Sequence, residues 1–155
     1  SGQAPSLAAE LGRHLERLRP GGYLAIQAYL AHTPAREQQL REIQRLARDG
    51  TRRAVTLGYG PRFLHSTGQL HKGGPPTGVF LQLTADHPDD LAIPGQRESF
   101  GTLIDAQAQG DFDALEAHEL PVARIHLGAD PDAGLAQLRE VLVQALAGSG
   151  TRGRG

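Results

Sequence analysis

The chain has 155 residues, a formal net charge of −1 and 39% apolar residues. That length predicts one domain with its own core, and the near-neutral charge gives no reason to expect binding to nucleic acid or to an anionic membrane. The absence of cysteine excludes disulfides and thiolate chemistry and fits a cytoplasmic location. No apolar run reaches the roughly 18 residues of a membrane span, and no signal peptide is visible.

Hydrophobic periodicity predicts alternating helices and strands in the first half of the chain. Leucines at helical spacing indicate a helix over residues 6–18, and the apolar run 23–30 indicates a buried strand. Residues 33–47 follow as a second helix, because a threonine suited to the cap precedes a proline suited to the first helical position. Gly50 is expected to end that helix, and residues 53–57 form the second strand.

The same alternation continues in the second half. Gly110 is expected to end one helix and Asp111 to cap the next, since these residue types are common at helix boundaries. His126 falls in a strand and is expected to be a core or strand-end residue. The other histidines outside residues 58–75 are expected at the surface. The predicted elements are a short helix over 62–72, strands over 79–84 and 122–127, and helices over 99–109, 111–117 and 130–146.

Strands that alternate with helical crossovers predict an α/β fold with a mainly parallel sheet of about four or five strands and helices on both faces, which is a three-layer sandwich. We expect a single domain over residues 1–147 and a flexible, glycine-rich tail over 148–155. The chain contains no methionine, so we also expect it to be a piece of a longer protein. In such sheets ligands bind beyond the carboxyl ends of the strands.

Residues 58–75, GYGPRFLHSTGQLHKGGP, begin at such a strand end and hold the chain's only lysine. The glycines and the predicted helix start could approach a phosphate, although neither the Walker pattern nor the dinucleotide fingerprint is present. A zinc site is disfavoured, because His65 and His71 are six residues apart with no cysteine or carboxylate nearby. General acid–base chemistry at His65, with Gln69 on the same helical face, and an ordinary structural histidine both remain open.

This stretch resembles a segment of the bacterial phosphoglucose isomerases, which carry the pattern L-H-S-x-G-Q. The likeness continues through the runs GVFLQLT, SFGTLIDAQAQGDFDAL and RIHLGADPDAGLAQL, so that it covers most of residues 18–147. In this order it is most similar to the isomerase half of the bacterial transaldolase/phosphoglucose isomerase fusion proteins. The matching motif residues are Leu64, His65, Ser66, Gly68, Gln69 and Gly73.

The resemblance implies a sugar-isomerase (SIS-like) domain that interconverts glucose 6-phosphate and fructose 6-phosphate without a metal or another cofactor. It implies that His65 is the catalytic acid–base group that opens the sugar ring. It also implies a homodimer of the full-length protein, in which this histidine reaches the partner subunit's active site. The candidate residues for binding the sugar phosphate substrate are Arg62, Ser66, Gln69 and Lys72, with a solvated surface position as the alternative for Arg62 and Lys72.

The chain also departs from the family in ways that predict an incomplete active site. In the family, a glutamate in an E-S-x-G-K type segment upstream of the histidine motif moves the proton between C1 and C2, and this chain has no such segment before His65. The phosphate loop of the first sugar-isomerase domain and the closing Q-W-G-V-E-L-G-K segment are absent as well. We therefore expect the chain to need an upstream isomerase domain of a parent protein and to have little activity alone. The alternative is a non-catalytic sugar-phosphate-binding or assembly module.

Overall fold

The structure is a computed structural model, and it describes residues 7–18, 21–31, 33–59, 78–86 and 99–154. Within these ranges the chain forms four helices and four strands in an alternating order. The helices are α1 (Leu7–Leu15), α2 (Pro34–Thr51), α3 (Phe100–Ala117) and α4 (Pro131–Arg154), and the strands are β1 (Tyr23–Ala28), β2 (Ala54–Tyr59), β3 (Gly78–Thr84) and β4 (Val122–His126).

The four strands form one sheet in the order β2-β1-β3-β4, and every neighbouring pair is parallel. β1 is a central strand, whose residues 23–28 pair with 54–59 on one side and with 78–83 on the other. All of β3 is buried, and β1 is buried except for a partly exposed Tyr23. Such continuous burial is typical of strands that are covered on both faces.

Three helices cover one face of this sheet. α1, α2 and α4 pack on aliphatic side chains from alternating strand positions, including Leu24 and Ile26 of β1. Leu40 of α2 and Leu138 of α4 belong to the same core, and neither is more than 2% exposed. Since the burial of one such side chain contributes about 1.5–3 kcal/mol, this layer is a major source of stability.

The remaining helix, α3, covers the opposite face. Ala25 and Phe80 of the sheet pack there against Leu115 of α3. The rings of Tyr23 and Phe80 meet edge to face, with their centroids 6.2 Å apart. Helices therefore lie on both faces of a parallel sheet, which confirms the predicted α/β three-layer sandwich.

Helix α2 begins as predicted but ends later. The hydroxyl of Thr33 accepts a hydrogen bond from a backbone amide of the first turn at 3.1 Å, and Pro34 is the first helical residue. The prediction that Gly50 ends the helix is wrong, because the helix continues past it and Arg52 closes it in the left-handed conformation. Gly50 instead allows close packing, since a Cβ there would lie 2.6 Å from a methyl carbon of Leu146 on α4.

Helix α3 is a single helix, so the predicted break at Gly110 is wrong. Ser99 caps its start as predicted, by accepting a backbone hydrogen bond at 3.2 Å. Asp111, predicted as a second cap, is 2% exposed and contacts the sheet. Its carboxylate accepts hydrogen bonds from the hydroxyl of Tyr29, just beyond β1, and from the side-chain amide of Gln107 at 3.0 Å. Asp111 thus serves a tertiary contact that the local sequence does not reveal.

This buried contact changes the acidity of both partners. Burial raises the pKa of Asp111 above its ordinary value, while the hydrogen bonds from Tyr29 and Gln107 act in the opposite direction. The pKa of Tyr29 is also raised, first by burial and then by its hydrogen bond to Asp111 and by the charge of that carboxylate. The pair joins α3 to the central strand through groups that are both costly to ionise.

His14 is buried, so the expected surface position is wrong. It lies on α1 and is 6% exposed, with Nε2 at 2.8 Å from the carbonyl oxygen of Phe80. Because a carbonyl oxygen only accepts, this bond requires a proton on Nε2. Burial lowers the pKa of His14, and the hydrogen bond to Phe80 partly offsets that effect. The signal was available in the sequence, because His14 follows Leu11 by three residues and shares its helical stripe.

Helix α4 continues to Arg154, beyond the residue at which the domain is predicted to end. The boundaries of a single domain over 1–147 and a flexible tail over 148–155 stay predictions. The predicted short helix over 62–72 lies outside the described residues.

Replacing Asp111 by asparagine tests the buried pair through the pH dependence of stability. A carboxyl group whose pKa is higher in the folded than in the unfolded chain stabilises the fold at low pH, and that contribution is lost as the pH rises from the unfolded pKa through the folded one. We therefore expect the free energy of unfolding of the unsubstituted chain to fall relative to that of D111N as the pH rises above about 4. Urea unfolding at a series of pH values measures this difference, and a difference independent of pH would contradict the raised pKa.

Two helical glycines offer a matched test of close packing. A Cβ at Gly134 of α4 would lie 2.5 Å from the carbonyl oxygen of Leu127 and 2.7 Å from its Cβ, whereas a Cβ at Gly110 would meet nothing among the described atoms within 4 Å. We expect G134A to lower the free energy of unfolding by about 1–3 kcal/mol through overpacking. G110A should raise it by about 0.5–1 kcal/mol through helix propensity. Urea unfolding of the two variants checks both signs, and a stable G134A would be inconsistent with this packing.

Candidate functional site

The connections that follow β1 and β3 pass over opposite faces of the sheet. After β1 the chain enters α2 on the aliphatic face, and after β3 it enters α3 on the other face. The boundary between these neighbouring strands is therefore the topological switch point, and parallel α/β sheets bind ligands in the crevice beyond the carboxyl ends of the strands there. We use the name switch-point edge for the carboxyl ends of β1, β3 and β4, with residues 29–31, 84–86 and 126–128.

A chain of three hydrogen-bonded side chains crosses the switch-point edge. The hydroxyl of Thr84 lies 3.0 Å from Nδ1 of His126, and Nε2 of the same ring lies 2.9 Å from a carboxylate oxygen of Asp86. An ionised carboxylate only accepts, so the arrangement fits a neutral ring with its proton on Nε2 and with Nδ1 accepting from the threonine hydroxyl. Thr84 is 6% exposed, whereas the side chains of His126 and Asp86 are 52% and 57% exposed.

Strand register explains why these three residues meet. Thr84 and His126 are partners in the pairing of β3 with β4, and Asp86 follows Thr84 by two residues. Two backbone hydrogen bonds extend the pairing: the amide of Leu127 donates to Thr84 at 2.6 Å, and the amide of Asp86 donates to Gly128 at 2.9 Å. Gly128 has a φ of +89°, which glycine adopts without strain. The two segments that leave the strands are thus held against each other.

Two buried glutamines lie side by side just inside this edge, on the face that α3 covers. Gln27 of β1 and Gln82 of β3 are register partners, and both are 0% exposed. The side-chain nitrogen of Gln82 donates to the carbonyl of Ala108 at 2.8 Å, and its oxygen accepts from Arg124 at 3.2 Å. Neither polar atom of the Gln27 amide has a hydrogen-bond partner among the described residues.

The amide of Gln27 is therefore an exceptional group. A buried donor or acceptor without a partner costs about 1–3 kcal/mol, and folded proteins contain few of them. The register partner of Gln27 on β2 is Gly58, with which the stretch 58–75 begins. The unpartnered amide therefore lies next to the strand from which that stretch leaves the sheet.

The five site residues predicted from the sequence lie outside the described residues. β2 ends at Tyr59, and the description resumes with β3 at Gly78. The structure therefore defines where the intervening stretch leaves the sheet, beside the carboxyl end of β1, and says nothing of its side chains. The predicted site residues concerned are Arg62, His65, Ser66, Gln69 and Lys72.

Sequence reasoning missed the residues that the structure brings together. His126 is at a strand end, as expected, but its ring is half exposed and has two polar partners. None of Asp86, Thr84 and Gln27 has a predicted role. A T-x-D pattern at one strand end with a histidine at the end of the next strand is the signal for such a group. It becomes informative only when the register of the two strands is known.

The described part of the chain has neither a metal-binding cluster nor a membrane-spanning helix. Its residues contain no group of three or more histidine, aspartate or glutamate side chains that could hold a metal ion. No helix within the described ranges combines the length and the apolar character needed to cross a membrane. The expectation that the chain works without a metal or cofactor stays a prediction.

Comparisons with known proteins bear on the fold. No protein-family model and no curated protein matches this chain. A solved structure, described as a hypothetical protein from Thermus thermophilus, superposes with a TM-score of 0.77 over 95% of this chain, at 18% sequence identity. The match covers 40% of that chain, so the present chain spans less than half of its length. At this level of identity the likeness shows a shared α/β fold.

The unusual state of Gln27 is testable by a pair of substitutions on neighbouring strands. We expect Q27M to raise the free energy of unfolding by about 1 kcal/mol or more, because methionine has a similar size and no amide to leave unpartnered. Q82M is the matched control and should lower it by about 1–3 kcal/mol, because it removes the bonds to Ala108 and Arg124. Urea unfolding measures both changes, and a destabilised Q27M would indicate that the amide has a partner in the folded protein.

Proposed function

We propose that this chain is the second sugar-isomerase domain of a glucose-6-phosphate isomerase, which interconverts glucose 6-phosphate and fructose 6-phosphate. In this proposal His65 opens the sugar ring, and the remaining catalytic groups come from an upstream isomerase domain of a parent protein, such as a transaldolase/isomerase fusion. The observation that carries the proposal is the L-H-S-x-G-Q likeness of residues 64–69, in a stretch that follows the carboxyl end of β2.

The position of this stretch supports the proposal. β2 ends at Tyr59 beside the central strand, so the following residues start at the carboxyl edge of a parallel sheet. Substrates of parallel α/β enzymes bind at that edge, because loops from several strands converge there. A histidine in a segment that follows such a strand end is suited to ring opening, since imidazole can both donate and accept a proton near neutral pH.

The substrate and the assembly follow from the same proposal. Arg62 and Lys72 supply positive charge for the phosphate group, and Ser66 and Gln69 supply hydrogen bonds for the sugar hydroxyls. The full-length protein is a homodimer in which His65 serves the partner subunit's active site, and no metal or cofactor takes part. A cytoplasmic location belongs to the proposal as well, because the chain contains no cysteine.

A substitution at His65 in the natural full-length protein tests the proposal. We expect H65A to lower kcat for conversion of fructose 6-phosphate to glucose 6-phosphate by about 10²–10⁴-fold, which is the usual contribution of a general acid–base group. H71A, in the same stretch, is the matched control and should keep its rate. A coupled assay of glucose 6-phosphate formation measures both, and an unchanged rate in H65A would favour a non-catalytic sugar-phosphate-binding or assembly module.

The isolated chain provides a second control in the same assay. It has no segment of the E-S-x-G-K type upstream of His65, so it lacks the general base that moves the proton between C1 and C2 in the similar enzymes. We expect little or no turnover from it, since loss of a base and of substrate positioning each lowers the rate by orders of magnitude. Turnover by the isolated chain close to that of the full-length protein would refute the division of the site between two domains.

A further inference from the structure

The proposed role of His65 gives no function to the three hydrogen-bonded side chains of Thr84, His126 and Asp86. We propose that His126 is a second proton-transfer group of the isomerase, which moves a proton between the two substrate oxygens that exchange their roles as carbonyl and hydroxyl. This inference rests on the proposed function and deepens it. It concerns a separate step, because ring opening by His65 precedes the exchange of carbonyl and hydroxyl.

The position of His126 at the sheet favours contact with a bound sugar phosphate. Thr84 is the last residue of β3 and His126 the last of β4, so the ring lies at the switch-point edge. Substrates of parallel α/β sheets bind beyond the carboxyl ends of the strands, so a sugar phosphate bound at this edge can reach the ring.

The ring is held firmly on one side and is open on the other. Thr84 is buried and its hydroxyl fixes Nδ1, while the side chains of Asp86 and His126 are more than half exposed. Asp86 can therefore turn toward water and leave Nε2 to a substrate oxygen. The threonine hydroxyl both donates and accepts, so it supports the ring with the proton on either nitrogen. This combination of a fixed orientation and an exchangeable proton is what proton transfer requires.

The proton balance of the step is complete. Conversion of an open-chain aldose to a ketose removes the proton from the C2 hydroxyl and adds one to the C1 carbonyl oxygen, while a separate base moves the carbon-bound proton. Nε2 of His126 accepts the proton of the C2 hydroxyl, with Nδ1–H donating to Thr84, and the resulting imidazolium returns it to the C1 oxygen. The carboxylate of Asp86 stabilises the transient positive charge. No other donor or acceptor of protons or electrons is needed.

Two other interpretations of these side chains are weaker. As a purely structural feature, an exposed histidine–carboxylate pair contributes only about 0–1 kcal/mol to the free energy of unfolding, so stability alone gives little reason for it.

A hydroxyl–imidazole–carboxylate arrangement is also the pattern of serine-type hydrolases, which need free backbone amides for an oxyanion. The amides of Asp86 and Leu127 already donate to Gly128 and Thr84, and the hydroxyl of Thr84 is buried. Acyl transfer is therefore disfavoured.

The test compares histidine variants of the natural full-length protein in the assay of fructose 6-phosphate conversion. We expect H126N to lower kcat and kcat/KM together by about 10²-fold or more and to remove one limb of the pH profile of kcat. H118N is the matched control, because His118 is an exposed histidine in the turn after α3, away from the switch-point edge. It should keep both the rate and the pH profile.

Variants of Thr84 separate positioning from stability. T84V keeps the shape of the side chain but removes the hydroxyl that orients the ring, so we expect about a tenfold loss of kcat and a shifted pH profile. T84S restores the hydroxyl and should recover most of the rate. If T84V lowered only the free energy of unfolding and left kcat and the pH profile unchanged, the role of Thr84 would be structural and the inference would fail.

The possible results distinguish this inference from the function on which it rests. Loss of activity in both H65A and H126N, with H118N unaffected, supports both proposals. An active protein that depends on His65 but keeps its kcat and pH profile in H126N overturns the inference and leaves the isomerase function intact. A natural protein that shows no isomerase activity overturns both.

Discussion

The central strand β1 imposes the constraint on which the rest of the molecule depends. It is hydrogen-bonded on both sides and buried on both faces, so its alternate residues must suit two different layers at once. Leu24 and Ile26 face the aliphatic helices, whereas Ala25 and Gln27 face α3. A shift in register by one residue would exchange these sets and place the amide among leucines. The fixed position of β1 determines the registers of β2 and β3, and through them the layout of the switch-point edge.

The two faces of the sheet differ in how strictly they define geometry. Aliphatic packing under α1, α2 and α4 tolerates small rearrangements when volume is conserved. The other face joins the sheet to α3 through Gln82, Arg124 and Asp111, whose hydrogen bonds hold only within narrow limits of distance and angle. Thr84 and His126 extend from this same polar face, by the alternation of β3 and β4. Thr84 and His126 thus extend from the face of the sheet on which hydrogen bonds determine the side-chain positions most specifically.

The layer architecture was predictable because hydrophobic periodicity and caps such as Thr33 are local signals. The helix boundaries at Gly50 and Gly110 were wrong because the intrinsic helix penalty of glycine, about 1 kcal/mol, is smaller than the gain from packing a whole helix. The chain of Thr84, His126 and Asp86 could not be predicted, because the two strand ends are distant in sequence and only register brings them together. The roles of residues 58–75 depend on a family likeness and stay predictions.

The pairing of β1 with β3 also constrains how the chain reaches its native state. Tyr23 pairs with Gly78, so α2 and β2 must be synthesised, and the following crossover completed, before the two central strands can meet. Contacts so distant in sequence make folding slow, because the entropy of closing the loop is lost before the pairing is gained. Until β3 arrives, a nascent chain presents one open edge of β1 and the apolar side chains of both its faces. Docking of α2 covers the aliphatic face of β1 during this interval, whereas the edge stays open until β3 pairs with it.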